Sequence, residues 1–294
     1  MKIFEFIRKN RKIKIPFFTI GGWVAWEDIY IRSDWRIQKN VIEKELYRLL
    51  DENYKLKASG SFEYCKKLLD QTHKEKKYDK VVILLHGVIC HKIYMANIKK
   101  ELKKQGYTVF NFGYASNAYD ISHHGKVVHN FVTNIQYKEI SFVTFSMGGL
   151  VVRQCINKIP KVKRLVMIAP PNKGSDMADM FGRSKIISTI FGPGMKQMNT
   201  HTESFANKSP IPKCEFGIIG GEIKKPKSWL NPMKLIYKIW KNKENDGLVG
   251  VSQTKLKGMK DFILLPYYHG SIPFRKKTIN QVSHFLKTGG FIHD

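Results

Sequence analysis

The stretch ISFVTFSMGGLVVR, residues 140–153, decides how this chain is read. Residues 140–145 have the make-up of a buried strand, and Met147 to Ile156 that of a helix. A strand therefore runs into Ser146 and a helix leaves it. The turn between them is tight, so small residues must flank the serine where the two backbones approach. Gly148 and Gly149 meet that demand. Thr144 stands at the first small position, which a modest side chain can fill.

Outward from this turn the chain keeps one rhythm from Val81 onward. VVILL (81–85) is a short continuous apolar run, as a strand buried on both faces should be. A helix over 91–105 follows, ended by Gly106, then the strand TVFNF (108–112) and a helix over about 123–136. Beyond the serine turn, VKRLVMIAP (162–170), EFGIIGG (215–221) and FILLP (262–266) read as strands, and Lys277 to Leu286 as a closing helix. This alternation predicts an α/β fold, a mostly parallel central sheet flanked by helices with right-handed crossovers. Residues 172–213 and 223–245 break the rhythm, and insertions at the carboxyl end of such a sheet usually build a cap over the site.

Residues 1–78 read as an amino-terminal extension and 79–294 as the main domain. Met1 to Lys14 is basic and Ile15 to Trp26 (IPFFTIGGWVAW) apolar. Pro16 and the Gly21-Gly22 pair interrupt the apolar run, and no small-x-small site precedes Glu27. An amphipathic arm is expected here rather than a cleaved export signal. Residues 47–61 (YRLLDENYKLKASGS) alternate around Asp51-Glu52-Asn53, as a hairpin would, and Phe62 to Leu69 looks helical. The basic run Gln71 to Lys80 reads as a linker.

Composition narrows the function. The 294 residues are 43% hydrophobic and 12% aromatic, which excludes a disordered or low-complexity chain. No apolar stretch reaches the ~18 residues of a spanning helix. Of 51 Lys and Arg against 24 Asp and Glu, net +27, only nine are Arg. A lysine-dominated excess lacks the bidentate guanidinium fork, and no nucleic-acid motif is present, so no specific nucleic-acid partner is expected. Peripheral attraction to anionic membrane is a consequence the charge allows, on a chain otherwise expected in the cytoplasm. Cys65, Cys90, Cys155 and Cys214 lack ligand or CxxC spacing and read as reduced thiols, without disulfide or metal site.

A serine hydroxyl attacks at neutral pH only with a base beside it, itself oriented by a carboxylate. His269 follows the strand FILLP and Tyr267-Tyr268, in a loop where a base can reach the sheet's carboxyl edge; His284 and His293 read as packing and tail residues. For the carboxylate, Asp246 in the turn NDGLV (245–249) is the choice, with Asp261 and Glu244 as rivals. The oxyanion of a tetrahedral intermediate needs two preorganised donors. Met147 N–H, directly after the serine, is one. Val88 N–H is the other, in the loop His86-Gly87-Val88 where Gly87 lets the backbone turn inward.

With these residues in view, the chain resembles the bacterial lipase/esterase branch of the α/β-hydrolases. LLHGV (84–88), FVTFSMGGLVVR (142–153), MIAPPNKGS (167–175), NDGLVGVSQT (245–254) and DFILLPYYHG (261–270) carry the resemblance, in the expected order and over about residues 80–290. It implies an α/β-hydrolase fold with cap insertions and an extension. It also implies cleavage of carboxylic, lipid or acyl, esters through an acyl-enzyme, with Ser146, Asp246 and His269 as triad and no metal or organic cofactor. Thr144 in place of the usual first glycine and the long basic insertion depart from the pattern. An acyltransferase or amidase would use the same triad, and a non-catalytic membrane-surface binding protein is the reading from another class. The stripe Trp229, Leu230, Met233, Ile236, Tyr237 and Trp240, flanked by lysines, is expected to form a helix near the cleft, either interfacial or packed on the body.

Overall fold

The computed structural model describes residues 25–182, 184, 190–223 and 243–293. The amphipathic arm and the stripe at 228–243 lie almost wholly outside the described residues. Among the described residues ten strands form two sheets. The first is an antiparallel meander of β1 (Trp26–Arg32), β2 (Trp35–Asn40), β3 (Tyr47–Leu50) and β4 (Leu56–Gly60). Helix α1 (Phe62–Thr72), capped by the Ser61 hydroxyl accepting from the Tyr64 N–H at 3.2 Å, closes over it. Tyr30, Ile37, Leu49, Cys65 and Leu69 make the small core between them. The expected hairpin is β3–β4; residues 26–40 add two more strands that alternation alone left unassigned.

The second sheet is parallel, with six strands in the order β6-β5-β7-β8-β9-β10. They are β5 (Lys77–Leu85), β6 (Thr108–Phe112), β7 (Gln136–Phe145), β8 (Val162–Ile168), β9 (Glu215–Gly221) and β10 (Asp261–Leu265). Val81, Ile83 and Leu85 pack into the core on one face, while Val82 and Leu84 pack into the core on the other. The two-residue period of a strand turns a continuous apolar run into a two-sided wall. Helices α3 (Ile121–Thr133) and α4 (Met147–Arg153) cover the first face. Helices α2 (Ala96–Lys104) and α8 (Lys276–Thr288) cover the second.

Strand β5 begins at Lys77 and pairs with β7 from Gln136, so residues 77–80 are strand, not linker. Their polar composition misled the reading because this end of the ladder projects past the helices into solvent; only Tyr78 turns inward. The chain leaves β5 for β6 on one side, then crosses back so that β7 lies on β5's other side. Strands β5 and β7 thus flank the point where the winding reverses, and a crevice opens at their carboxyl ends. The His86 loop and Ser146 stand at those two ends.

The described residues of 172–213 make the expected excursion, with short helices α5 (Asp176–Gly182), α6 (Pro193–Gln197) and α7 (Phe205–Lys208). Arg153, at the end of α4 and buried, ties it down. Its guanidinium donates to the carbonyls of Pro210 (2.9 Å), Asn172 (3.2 Å), Ala206 (3.4 Å) and Ser209, and to the Asn172 side chain (3.1 Å). Among the described residues no helix is long and apolar enough to cross a membrane.

A buried carboxylate joins the amino-terminal sheet to the β6 end. Asp28 accepts from the Gly113 N–H (2.9 Å), Arg36 (2.8 Å) and Gln38 (2.6 Å), and its own N–H donates to the Gly113 carbonyl (2.8 Å). Arg36 and Lys92 beside it hold its pKa below the usual carboxylate range against the opposing pull of burial.

Candidate active site

Ser146 sits at φ 53°, ψ −127°, a conformation that L-residues avoid and that costs about 1–3 kcal/mol. Two features hold it there. Its N–H continues the β7–β8 ladder by donating to the Ile168 carbonyl at 2.8 Å, and its carbonyl accepts from Gly149 N–H at 2.9 Å, starting α4. The flanking residues are small for reasons visible in distances. A Cβ on Gly148 would lie 2.7 Å from the His86 carbonyl oxygen, and one on Gly149 would lie 3.0 Å from Pro170 Cβ. Thr144 is buried at the first small position, its hydroxyl without a hydrogen-bond partner.

The structure brings Ser146, His269 and Asp246 into one hydrogen-bonded chain. Ser146 Oγ lies 2.9 Å from His269 Nε2, and His269 Nδ1 lies 2.7 Å from Asp246 Oδ2. All three are buried. The second carboxylate oxygen of Asp246 is occupied by its own turn, accepting from Leu248 N–H (3.0 Å) and Val249 N–H (2.8 Å). Asn245 closes the same turn, its side-chain oxygen accepting from Gly247 N–H at 2.8 Å. The His269 N–H donates to the Asp246 carbonyl at 2.8 Å, so backbone as well as side chain joins the two loops. The ring of His269 rests against Phe145, centroids 5.0 Å apart.

The rival carboxylates stand elsewhere. Asp261 opens β10, at the end of the strand remote from His269. It accepts from Phe291 N–H (2.6 Å) and lies 2.9 Å from His293 Nε2. Glu244 contributes its carbonyl to Val251 N–H. His284 lies 2.9 Å from the Gly290 carbonyl, in the packing role expected for it.

The His86-Gly87-Val88 loop lies directly against Ser146, since a Cβ on Gly87 would come within 2.9 Å of Ser146 Cβ. His86 is buried and stacks on Tyr114, ring centroids 4.4 Å apart; the Tyr114 hydroxyl donates to the His86 carbonyl at 2.7 Å. Burial drives the His86 pKa down to about 3, so this imidazole is neutral at pH 7. Beyond Val88, Ile89 takes φ 51° and its N–H donates to Ser116 Oγ at 3.0 Å, bending the loop back to the β6 end. Val88 and Met147 directly follow Gly87 and Ser146, the two residues that this contact brings together.

Four supporting residues escaped the sequence reading. Tyr114 and Arg153 act through contacts 28 and up to 57 residues away. Ser175 donates its hydroxyl to the Leu248 carbonyl, bracing the acid turn from the excursion. Gly221 passes close behind Asp246, where a Cβ would stand 2.8 Å from the Asp246 Cβ. Of these, only the Gly220-Gly221 pair ending a predicted strand left a visible mark in the sequence.

The doubly wound parallel sheet with a strained serine between β7 and α4 gives this chain the α/β-hydrolase fold. Residues 75–181 match the family described as "Putative serine esterase (DUF676)". That span holds the His86 loop and Ser146 and stops short of Asp246 and His269. The mature form of the Bacillus licheniformis lipase BlEst2 is similar over 70% of this chain and 90% of its own, at TM-score 0.51 and 16% identity. The propeptide form of that lipase is similar over 74% of this chain and 51% of its own, at TM-score 0.53 and 15% identity. At such identities the likeness is one of fold. No curated protein matches the sequence.

Proposed function

We propose that this chain is a serine hydrolase that cleaves carboxylic esters, lipid or other acyl esters, through an acyl-enzyme. The observation that carries the reading is the Ser146–His269–Asp246 chain at 2.9 and 2.7 Å, with the serine held in its strained turn. Ser146 Oγ attacks the ester carbonyl as His269 Nε2 takes its proton. Asp246 accepts from Nδ1, fixing the tautomer that leaves Nε2 free to act as base and stabilising the imidazolium that forms. The Val88 and Met147 amides bind the oxyanion of the tetrahedral intermediate. As that intermediate collapses, the ester C–O bond breaks and the leaving alkoxide takes the proton from His269. Water, deprotonated by the same imidazole, then attacks the acyl group and releases Ser146. None of these steps draws on a metal or an organic cofactor.

A fluorophosphonate probe tests this directly. It modifies Ser146 in the parent protein, seen by peptide mass, and fails to modify Ser146→Ala. The same variant keeps its fold by circular dichroism and loses turnover of a short p-nitrophenyl ester. Residual turnover within tenfold of the parent would refute Ser146 as nucleophile.

A further inference from the structure

The β3–β4 hairpin carries an aromatic ring into an unusual place. Tyr54 adopts φ 63°, a left-handed conformation that a bulky side chain seldom takes. The turn is fixed around it by Asp51, whose carboxylate accepts from Asn53 N–H (2.9 Å) and Lys55 N–H (2.8 Å). The Tyr54 ring is met by three cations. The Arg36 guanidinium lies 4.5 Å from its centroid, Lys92 Nζ 3.7 Å and Lys99 Nζ 5.7 Å. Arg48 stands next to them, 4.0 Å over the Trp26 ring.

The charges in this cluster do not balance. Five cations act on one another here, Arg36, Arg48, Lys92, Lys99 and Lys103, and the carboxylates that reach them are Asp28 and Asp34. Asp28 is already committed to Arg36, Gln38 and Gly113. Among the described residues, Lys92, Lys99 and Arg48 make no ion pair, and the cations outnumber the carboxylates. Burial, reinforced by the neighbouring cations, pushes Lys92 down to about 7 and Lys99 down to about 8. Half-buried ammoniums crowded together oppose folding unless an anion completes them. A solvated lysine face would show neither the crowding nor the desolvation.

We propose that Lys92 and Lys99 at the Tyr54 ring, with Arg48 over the Trp26 ring, bind a phosphate-type oxyanion between the amino-terminal sheet and the hydrolase core. Arg36 lies beneath the ring and supplies field rather than contact. A phosphate monoester supplies the negative charge that the cluster lacks. The place of the site also bears on the substrate. Lys92 follows Val88 by four residues, and Gly113, which bonds Asp28, precedes Tyr114, which stacks on His86. The cationic cluster and the proposed oxyanion loop therefore share one scaffold. Resting on the hydrolase reading, the phosphate belongs to the head group of the acyl ester that Ser146 cleaves. The amino-terminal sheet then has a task, since it delivers Tyr54, Arg36 and Arg48 to that head group.

The test separates the site from the chemistry by using Ser146→Ala protein for binding. Calorimetric titration at pH 6.5 with inorganic phosphate and with glycerol 3-phosphate gives saturable one-to-one binding, and glycerol gives none. Lys92→Met and Lys99→Met each weaken both anions about tenfold or more, whereas Lys126→Met, an exposed lysine of α3, leaves them unchanged. In phosphate-free buffer Lys92→Met melts no lower than its parent, because it removes repulsion. Affinity unchanged in both lysine variants, or lost equally in Lys126→Met, overturns the proposal. The source of the phosphate is read on the Ser146 protein. A kcat/KM preference for a short acyl ester bearing a phosphate over its uncharged counterpart, abolished by Lys92→Met, assigns the phosphate to the substrate. Anion binding without that preference supports the site and overturns its head-group role in favour of free phosphate. Anion binding with no ester turnover at all upholds the site and refutes the hydrolase reading instead.

Discussion

Replacing Gly148 by alanine puts one methyl group into the contact that sets the elbow against the oxyanion loop. The added Cβ would stand 2.7 Å from the His86 oxygen, 3.0 Å from the Leu85 oxygen and 3.2 Å from Leu85 Cβ. Ordinary contact begins near 3.4 Å, so the His86 carbonyl must retreat by about 0.7 Å. That carbonyl also accepts from the Tyr114 hydroxyl at 2.7 Å, and the next two residues are Gly87 and Val88. The whole loop moves with it. Overpacking of this kind costs about 1–3 kcal/mol, while a helical Gly→Ala change returns about 1 kcal/mol. Net stability therefore changes by no more than about 2 kcal/mol. Activity changes far more, because an oxyanion donor displaced by the better part of 1 Å costs about 10²-fold. Urea denaturation and kcat/KM on a short p-nitrophenyl ester measure the two quantities on one preparation. A variant with kcat/KM within threefold of the parent would show that the His86–Val88 loop plays no part in transition-state binding.

Other perturbations probe the remaining supports. Asp246→Asn lowers kcat by roughly 10³–10⁴-fold through the wrong His269 tautomer, whereas Asp261→Asn leaves kcat near the parent and costs about 1 kcal/mol of stability; steady-state kinetics that reversed this order would displace Asp246 as the orienting acid. Arg153→Met strips donors from five acceptors at the base of the excursion and destabilises by about 3 kcal/mol or more, read as a shift in urea midpoint. His86, held at about 3 against an ordinary 6.5, refuses a proton that the unfolded chain accepts. Stability therefore falls as pH drops from about 6.5 to about 3, and His86→Asn flattens the dependence in that window, measured by urea unfolding at a series of pH values. A slope unchanged by the substitution would mean that other groups carry the acid sensitivity.

The parallel sheet and the serine turn were legible because both are written in contiguous residues. TVFNF and EFGIIGG coincide with β6 and β9 residue for residue, since a strand buried on both faces is mostly apolar and is bounded by turn residues. Gly148 and Gly149 announced the close approach behind Ser146 for a similar reason: only their own missing side chains permit it. The four-stranded sheet was less legible. WEDIYIR and WRIQKN mix inward charges with apolar residues, because Asp28 and Arg36 point into a buried polar joint that no periodicity rule anticipates.

By itself the sequence determined the fold class, the order of strands and helices from Val81 onward, and the serine, acid and histidine worth testing. The tertiary structure decided how they meet. Asp246, rather than Asp261, bonds His269 because crossovers bring residues 100 and 123 positions from Ser146 to the same edge of the sheet, while β10 carries Asp261 to the opposite end. The crowding of Lys92, Lys99 and Arg36 around Tyr54 is likewise invisible along the chain, where each is one more basic residue in an excess of +27. Spacing along a strand or helix is fixed by local backbone geometry and can be read in one dimension. Distance between segments is fixed by how apolar faces pack against one another, and only the folded chain supplies it.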